Sequence, residues 1–108
     1  MDTELIKGTL SLIILSLLSR RAMYGYEIVA TVKEETDGVL EWKAGSLYPS
    51  LHKLEKDGMV RGEWQGEPAS RQRKYYHITQ AGCAALSDKE ASWSQLTKAI
   101  TQIMEKSR

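Results

Sequence analysis

The segment from Ser46 to His77 constrains the fold more than any other part of this chain. Leu47, Leu51 and Leu54 recur at four- and three-residue steps, which places them on one face of a helix running from about Ser46 to Lys56. Ser46 or Gly45 can cap its start, Pro49 is expected in a first turn that tolerates it, and Gly58 stops it. Met59–Trp64 then alternates as a strand, and Lys74–Ile78 can pair with it. Between them, Gln65–Gln72 is too polar and too rich in breakers to be anything but a loop. A short amphipathic helix is thus joined, with almost no slack, to a β-hairpin.

The flanking sequence supplies helices. From about Thr3 to Ser19, Ile6, Leu10, Ile13, Ile14 and Leu17 form one apolar stripe, which Leu5, Leu12, Leu15 and Leu18 widen almost all round. A helix apolar on most sides is buried on most sides, and in so small a domain that implies a second molecule over one face. The run Leu10–Leu18 has nine residues, about half of a membrane span. Acidic Asp2 and Glu4 precede it and Arg20–Arg21 follow it, which does not fit a cleaved leader. A second helix is expected over about Tyr24–Thr36, with Ile28, Val29 and Val32 inward, ended by Asp37–Gly38. Val39–Trp42 is expected to form a short strand. Thr79 should cap a last helix from Gln80 to near the end, in which Leu86, Trp93 and Ile100 lie seven apart with Leu96 and Ile103 at the intermediate positions. That is a coiled-coil seam.

The expected order is therefore α-α-β-α-β-β-α: a mainly α fold with a small β-hairpin, a winged helix-turn-helix with an added C-terminal dimerisation helix. Residues 1–79 form the winged unit, with helix 3–19 joining the dimer interface, and residues 80–108 form the dimerisation helix. The expected interface comprises Leu10, Ile14, Leu86, Trp93, Leu96, Ile100 and Ile103.

Net charge is +1 over 108 residues, but it is unevenly distributed. Residues 1–42 hold four basic and seven acidic groups, residues 43–77 seven basic and four acidic, and residues 78–108 four basic and three acidic. The positive excess coincides with the helix and hairpin, as a phosphate-contacting surface requires. Catalysis finds little support. His52 and His77 have no relay to Cys83 or to a serine nucleophile, and no paired carboxylates, phosphate-binding glycine loop or metal-ligand spacing occurs. The chain is expected to be a non-enzyme without cofactor or metal. Its single cysteine excludes an internal disulfide and fits a reducing cytoplasm. Cys83, beside Ala81, Ala84 and Ala85, is expected to be a buried small apolar residue.

The third helix should expose Ser46, Tyr48, Pro49, His52, Lys53 and Lys56, groups suited to base edges and phosphates in a major groove. Arg71, Arg73 and Lys74 place three cations within four residues of the hairpin, contributing affinity more than sequence choice. Of Tyr24 and Tyr26, one is expected to bond a phosphate and the other to pack, with Gly25 between them admitting a neighbouring backbone. Trp42 and Trp64 are expected to pack in the core or on the strands. Trp93 has two readings, a packing residue of the seam or the wall of a flat pocket between subunits.

Taken together, Lys7-Gly-Thr-Leu, Tyr24-Gly-Tyr-Glu-Ile28, Gly45–Gly58, Arg73-Lys-Tyr-Tyr-His-Ile-Thr79 and Gly82 resemble the PadR family of bacterial transcriptional regulators, in the short form with one C-terminal helix. The resemblance covers essentially the whole chain. It implies a homodimer joined through the first and last helices, a repressor on a pseudo-palindromic operator, a recognition helix at Ser46–Lys56 and a wing at Gly66–Lys74. The expected DNA contacts are Tyr24, Lys43, Ser46, Tyr48, Pro49, His52, Lys53, Arg71, Arg73 and Lys74, among which the resemblance puts Ser46, Tyr48 and Lys53 foremost. Trp93, with Leu96, matches the place where some short members stack flat aromatic effectors. Two alternatives remain at this level: a protein-interaction module that has lost DNA binding, and a dimer that only sequesters a ligand.

Overall fold

The computed structural model describes residues 9–67 and 71–108, in the order α1 (Leu10–Leu18), β1 (Met23–Tyr24), α2 (Gly25–Glu35), α3 (Ala44–Lys56), β2 (Val60–Gln65), β3 (Arg73–Ile78) and α4 (Gln80–Lys106). The start of the first helix at Thr3, with Leu5 and Ile6 of its stripe, lies outside the described residues, as does the centre of the hairpin loop. Ile14 and Leu15 of α1, Ile28 of α2, Leu47 and Leu51 of α3, Met23 of β1 and Tyr76 of β3 are enclosed in a single core. Enclosing a side chain of this kind contributes roughly 1.5–3 kcal/mol.

The three strands form an antiparallel sheet in the order β1-β3-β2. Val60 faces Ile78, Gly62 faces Tyr76 and Trp64 faces Lys74, while β1 sets Met23 against Tyr76. Because side chains alternate along a strand, these pairs share the sheet face turned toward the core and α3. Arg73, Tyr75 and His77 take the other face.

Several expectations are corrected. Val39–Trp42 is not a strand, since Asp37 and Gly38 adopt φ of 50° and 79° and Thr36 then folds the chain back on itself. The Thr36 hydroxyl donates to the Val32 carbonyl (2.7 Å) and accepts the Leu40 N–H (3.1 Å). The third strand is β1, within the connection after the first helix. Trp42 is nevertheless buried, as expected. Helix α3 starts at Ala44 with Lys43 as N-cap and no side-chain cap, so neither Ser46 nor Gly45 plays that part. Pro49 therefore lies in the interior of α3, beyond its first turn. Lacking an N–H, it leaves the Gly45 carbonyl without its helical partner, and that residue is exposed to water. Cys83 is exposed, because only Gly82 and Leu86 of α4 are buried and Cys83 points off that face.

Thr79 does cap α4. Its hydroxyl accepts the Gly82 N–H at 3.0 Å and donates to the Gly58 carbonyl at 2.6 Å, tying the start of α4 to the turn that ends α3. The helix then runs 27 residues, about 40 Å at 1.5 Å per residue, and accounts for much of the 62 Å long axis. Past Leu86 none of its residues is buried, and Trp93, Leu96, Ile100 and Ile103 are exposed. The expected interface set is therefore split. Leu10, Ile14 and Leu86 are buried in the core of the chain itself, Ile14 with 0% of its surface exposed, whereas the other four are exposed. No helix of the described residues is long and apolar enough to cross a membrane.

Thr79→Ala removes both bonds at the α3–α4 junction. A loss of roughly 1–2 kcal/mol is expected in chemical denaturation, whereas an unchanged midpoint would show the cap to be dispensable.

Candidate nucleic-acid interface

Helix α3 turns Leu47, Leu51 and Leu54 into the core, and the helical period then fixes what faces out. Ser46, Pro49, His52 and Lys53 are exposed, Tyr48 is half-buried and its ring is tilted against that of His52 at 6.4 Å. Lys53 is 3.7 Å from Asp57 one turn on. Such an exposed pair is worth little and yields readily to a phosphate. Lys43, just before the helix, is also exposed.

The N-terminus of α2 lies against α3 at this point. A side chain at Gly25 would place its Cβ 2.7 Å from the Tyr48 ring carbon Cζ. The glycine thus admits a side chain, where a backbone was expected. Tyr24 packs edge-on against Tyr75 at 5.4 Å and carries the Arg73 guanidinium over its ring at 4.6 Å. Tyr26 is 66% exposed. Of the two tyrosines, Tyr24 is therefore the packed one, yet it holds a cation in place.

Arg71 and Arg73 are exposed and form no ion pair with the described residues. Lys74 differs. Its ammonium is 3.0 Å from Glu55 of α3 and 5.4 Å from the centre of the Tyr76 ring, and the same carboxylate accepts the Gly62 N–H at 3.0 Å. Glu55 therefore holds both wing strands against α3. Gly62 has to be small, since a Cβ there would come within 2.7 Å of the Glu55 carboxylate. The Lys74 hydrogen bond holds the Glu55 carboxyl below the usual carboxylate range, and Glu55 in turn raises the Lys74 ammonium. Lys74 is thus a strut of the wing rather than a free cation.

Trp64, expected to pack, is 65% exposed at the outer end of β2. Its phase with Val60 and Gly62 was the available signal, because the third residue of that face lies past the edge of so small a core. The groove of about 450 Å³ between α3 and the wing is lined by Tyr24, Tyr48, His52, Trp64, Arg71 and Arg73. A second cavity, of about 340 Å³, lies between α1 and α4, and Trp93 and Leu96 line it with Leu12.

Comparison with known proteins agrees with this architecture. The profile of the transcriptional regulator PadR-like family matches residues 14–88. A transcriptional regulator from Clostridium thermocellum superimposes with a TM-score of 0.88 at 33% identity, over 94% of this chain and 96% of that one. A PadR family transcriptional regulator from Eggerthella lenta gives 0.84 at 33% identity, over 94% and 87%. The negative transcriptional regulator PadR of Bacillus subtilis is 31% identical over 75 residues, which are 69% of this chain and 41% of that protein.

The Glu55–Lys74 strut has a testable pH signature. A carboxyl whose native value lies below its unfolded value stabilises fully above the unfolded value, about 4.3, and loses that contribution as pH falls through the native one. Glu55→Gln should cost about 1 kcal/mol at pH 7, and thermal melts of variant and wild type should converge as pH drops below about 4.3. A gap independent of pH would refute the strut.

Proposed function

The chain belongs to the PadR-like family of transcriptional regulators, and on that premise we propose that it is a homodimer that binds a pseudo-palindromic operator in the cytoplasm and represses transcription. One observation carries this reading: Tyr48 and His52 of α3 line the same groove as Arg71 and Arg73 of the wing, which form no ion pair with the described residues. Ser46, Tyr48, Pro49, His52 and Lys53 enter a major groove, where α3 is short enough to present its first turns to base edges. Lys43, Arg71 and Arg73 take phosphates, Arg73 steadied by Tyr24. Lys74 acts through Glu55 by holding the wing, without reaching the DNA. Repression is supported by the relative from Bacillus subtilis, which is a negative regulator.

Residues 80–108 serve dimerisation in this reading. Trp93, Leu96, Ile100, Ile103 and Met104 make an exposed apolar stripe along α4, longer than a monomer in water ordinarily leaves uncovered. A two-fold pairing of such stripes sets two α3 helices about one duplex turn apart. Trp93 and Leu96 also line the α1–α4 cavity, and a small aromatic effector would lie there, between the subunits.

Selection of bound DNA from a random pool should recover a two-fold-symmetric sequence. Against it, Lys53→Ala with Arg73→Ala should bind roughly a hundred-fold more weakly with an unaltered melting curve. Equal binding by wild type and double variant would remove the assigned surface. Ile100→Asp should sediment as a monomer and lose operator affinity with it, and a dimeric variant would refute the stripe as the interface.

A further inference from the structure

We propose that Trp64 is a direct, uncharged DNA contact, its indole packing on the deoxyribose of the strand whose backbone lies in the groove between α3 and the wing. The proposal rests on the DNA-binding reading above and adds to it a contact of a different physical kind. Along β2 the inward face runs Val60, Gly62, Trp64. Val60 is buried in the core, Gly62 leaves room for the Glu55–Lys74 pair, and Trp64 comes next in phase where the core has ended. The residue is 65% exposed and makes no hydrogen bond or ring contact with the described residues. A large planar surface held out on a paired strand, at no cost in conformational freedom of the backbone, is prepared for contact.

The surroundings specify the occupant. Trp64 shares its groove with Arg71 and Arg73, whose cations have no carboxylate partner among the described residues. The ligand must therefore combine negative charge with flat apolar faces at short intervals. A nucleic-acid backbone does so, alternating phosphate with sugar. With α3 in a major groove and the wing over the adjacent minor groove, the backbone dividing those grooves has to pass through the trough that Trp64 lines. Phosphates then meet the arginines and a sugar meets the indole. Such a contact is indifferent to base sequence.

The absence of charge makes the proposal separable from both the arginines and the wing's position. Each phosphate contact releases counterions, so its removal flattens the dependence of log Kd on log salt by about one. An indole on a sugar releases none. Trp64→Ala is expected to weaken the selected operator and an unrelated duplex alike, by about five- to twenty-fold, with the salt slope of the wild type retained. Trp64→Phe, which keeps a smaller ring, should recover part of the loss, and Arg73→Ala in parallel should flatten the slope. Unchanged affinity for Trp64→Ala overturns the proposal while leaving the DNA-binding reading intact. So does a loss accompanied by a flatter slope, because that means the wing itself has moved away from the phosphates. If the wild-type protein binds no duplex at any salt concentration, both the proposal and the reading beneath it fall.

Discussion

The rotation of α3 about its own axis is the constraint on which the rest depends. Leu47, Leu51 and Leu54 lock that rotation by burial against α1, α2 and the sheet. Turning the helix by one residue would expose leucine and bury Lys53 or His52 without a partner, at a cost of several kcal/mol on both counts. With the inner face fixed, the outer face of Ser46, Pro49, His52 and Lys53 follows without further specification. A surface made of polar groups gains its geometry from the apolar ones behind it.

The wing is oriented by a different force. Burial reaches only to Val60 on β2 and to Tyr76 and Ile78 on β3, so the outer halves of both strands need another anchor. Glu55 provides it by bonding the Gly62 N–H and the Lys74 ammonium together. An acidic side chain in a positive region is therefore not a defect of the charge pattern. It converts one of the wing's cations into a brace, so that the remaining two are presented at a defined distance from α3. The packing of Tyr24 against Tyr75, with Arg73 above it, does the same for one of those two.

The terminal helix shows the division of labour within a single element. Its start is capped by Thr79, and its first two turns are packed through Gly82 and Leu86 into the domain. Its outer turns carry apolar residues that stay exposed among the described residues. The seven-residue spacing that joins Leu86 to Trp93 and Ile100 thus spans two environments, a buried core and an exposed surface beyond it. Periodicity alone reports that residues share a face; it is silent on which body covers them.

Much was determined by the sequence itself. Helix α3, the two hairpin strands, the Thr79 cap and the basic concentration of residues 43–77 follow from local periodicity, stop signals and charge, which are properties of neighbours along the chain. The family resemblance of the motifs, borne out by the profile over residues 14–88, added the winged arrangement. Only the tertiary structure decided the rest, because it depends on partners distant in sequence. It made Met23–Tyr24 a strand by supplying Tyr75 and Tyr76 opposite, and it denied one to Val39–Trp42 through the Thr36 turn. It drew Lys74 inward by placing Glu55 nineteen residues away within reach. It exposed Trp64 and Cys83 and enclosed Ile14, because the extent of a core is set by how many elements converge on it, and no local pattern contains that number.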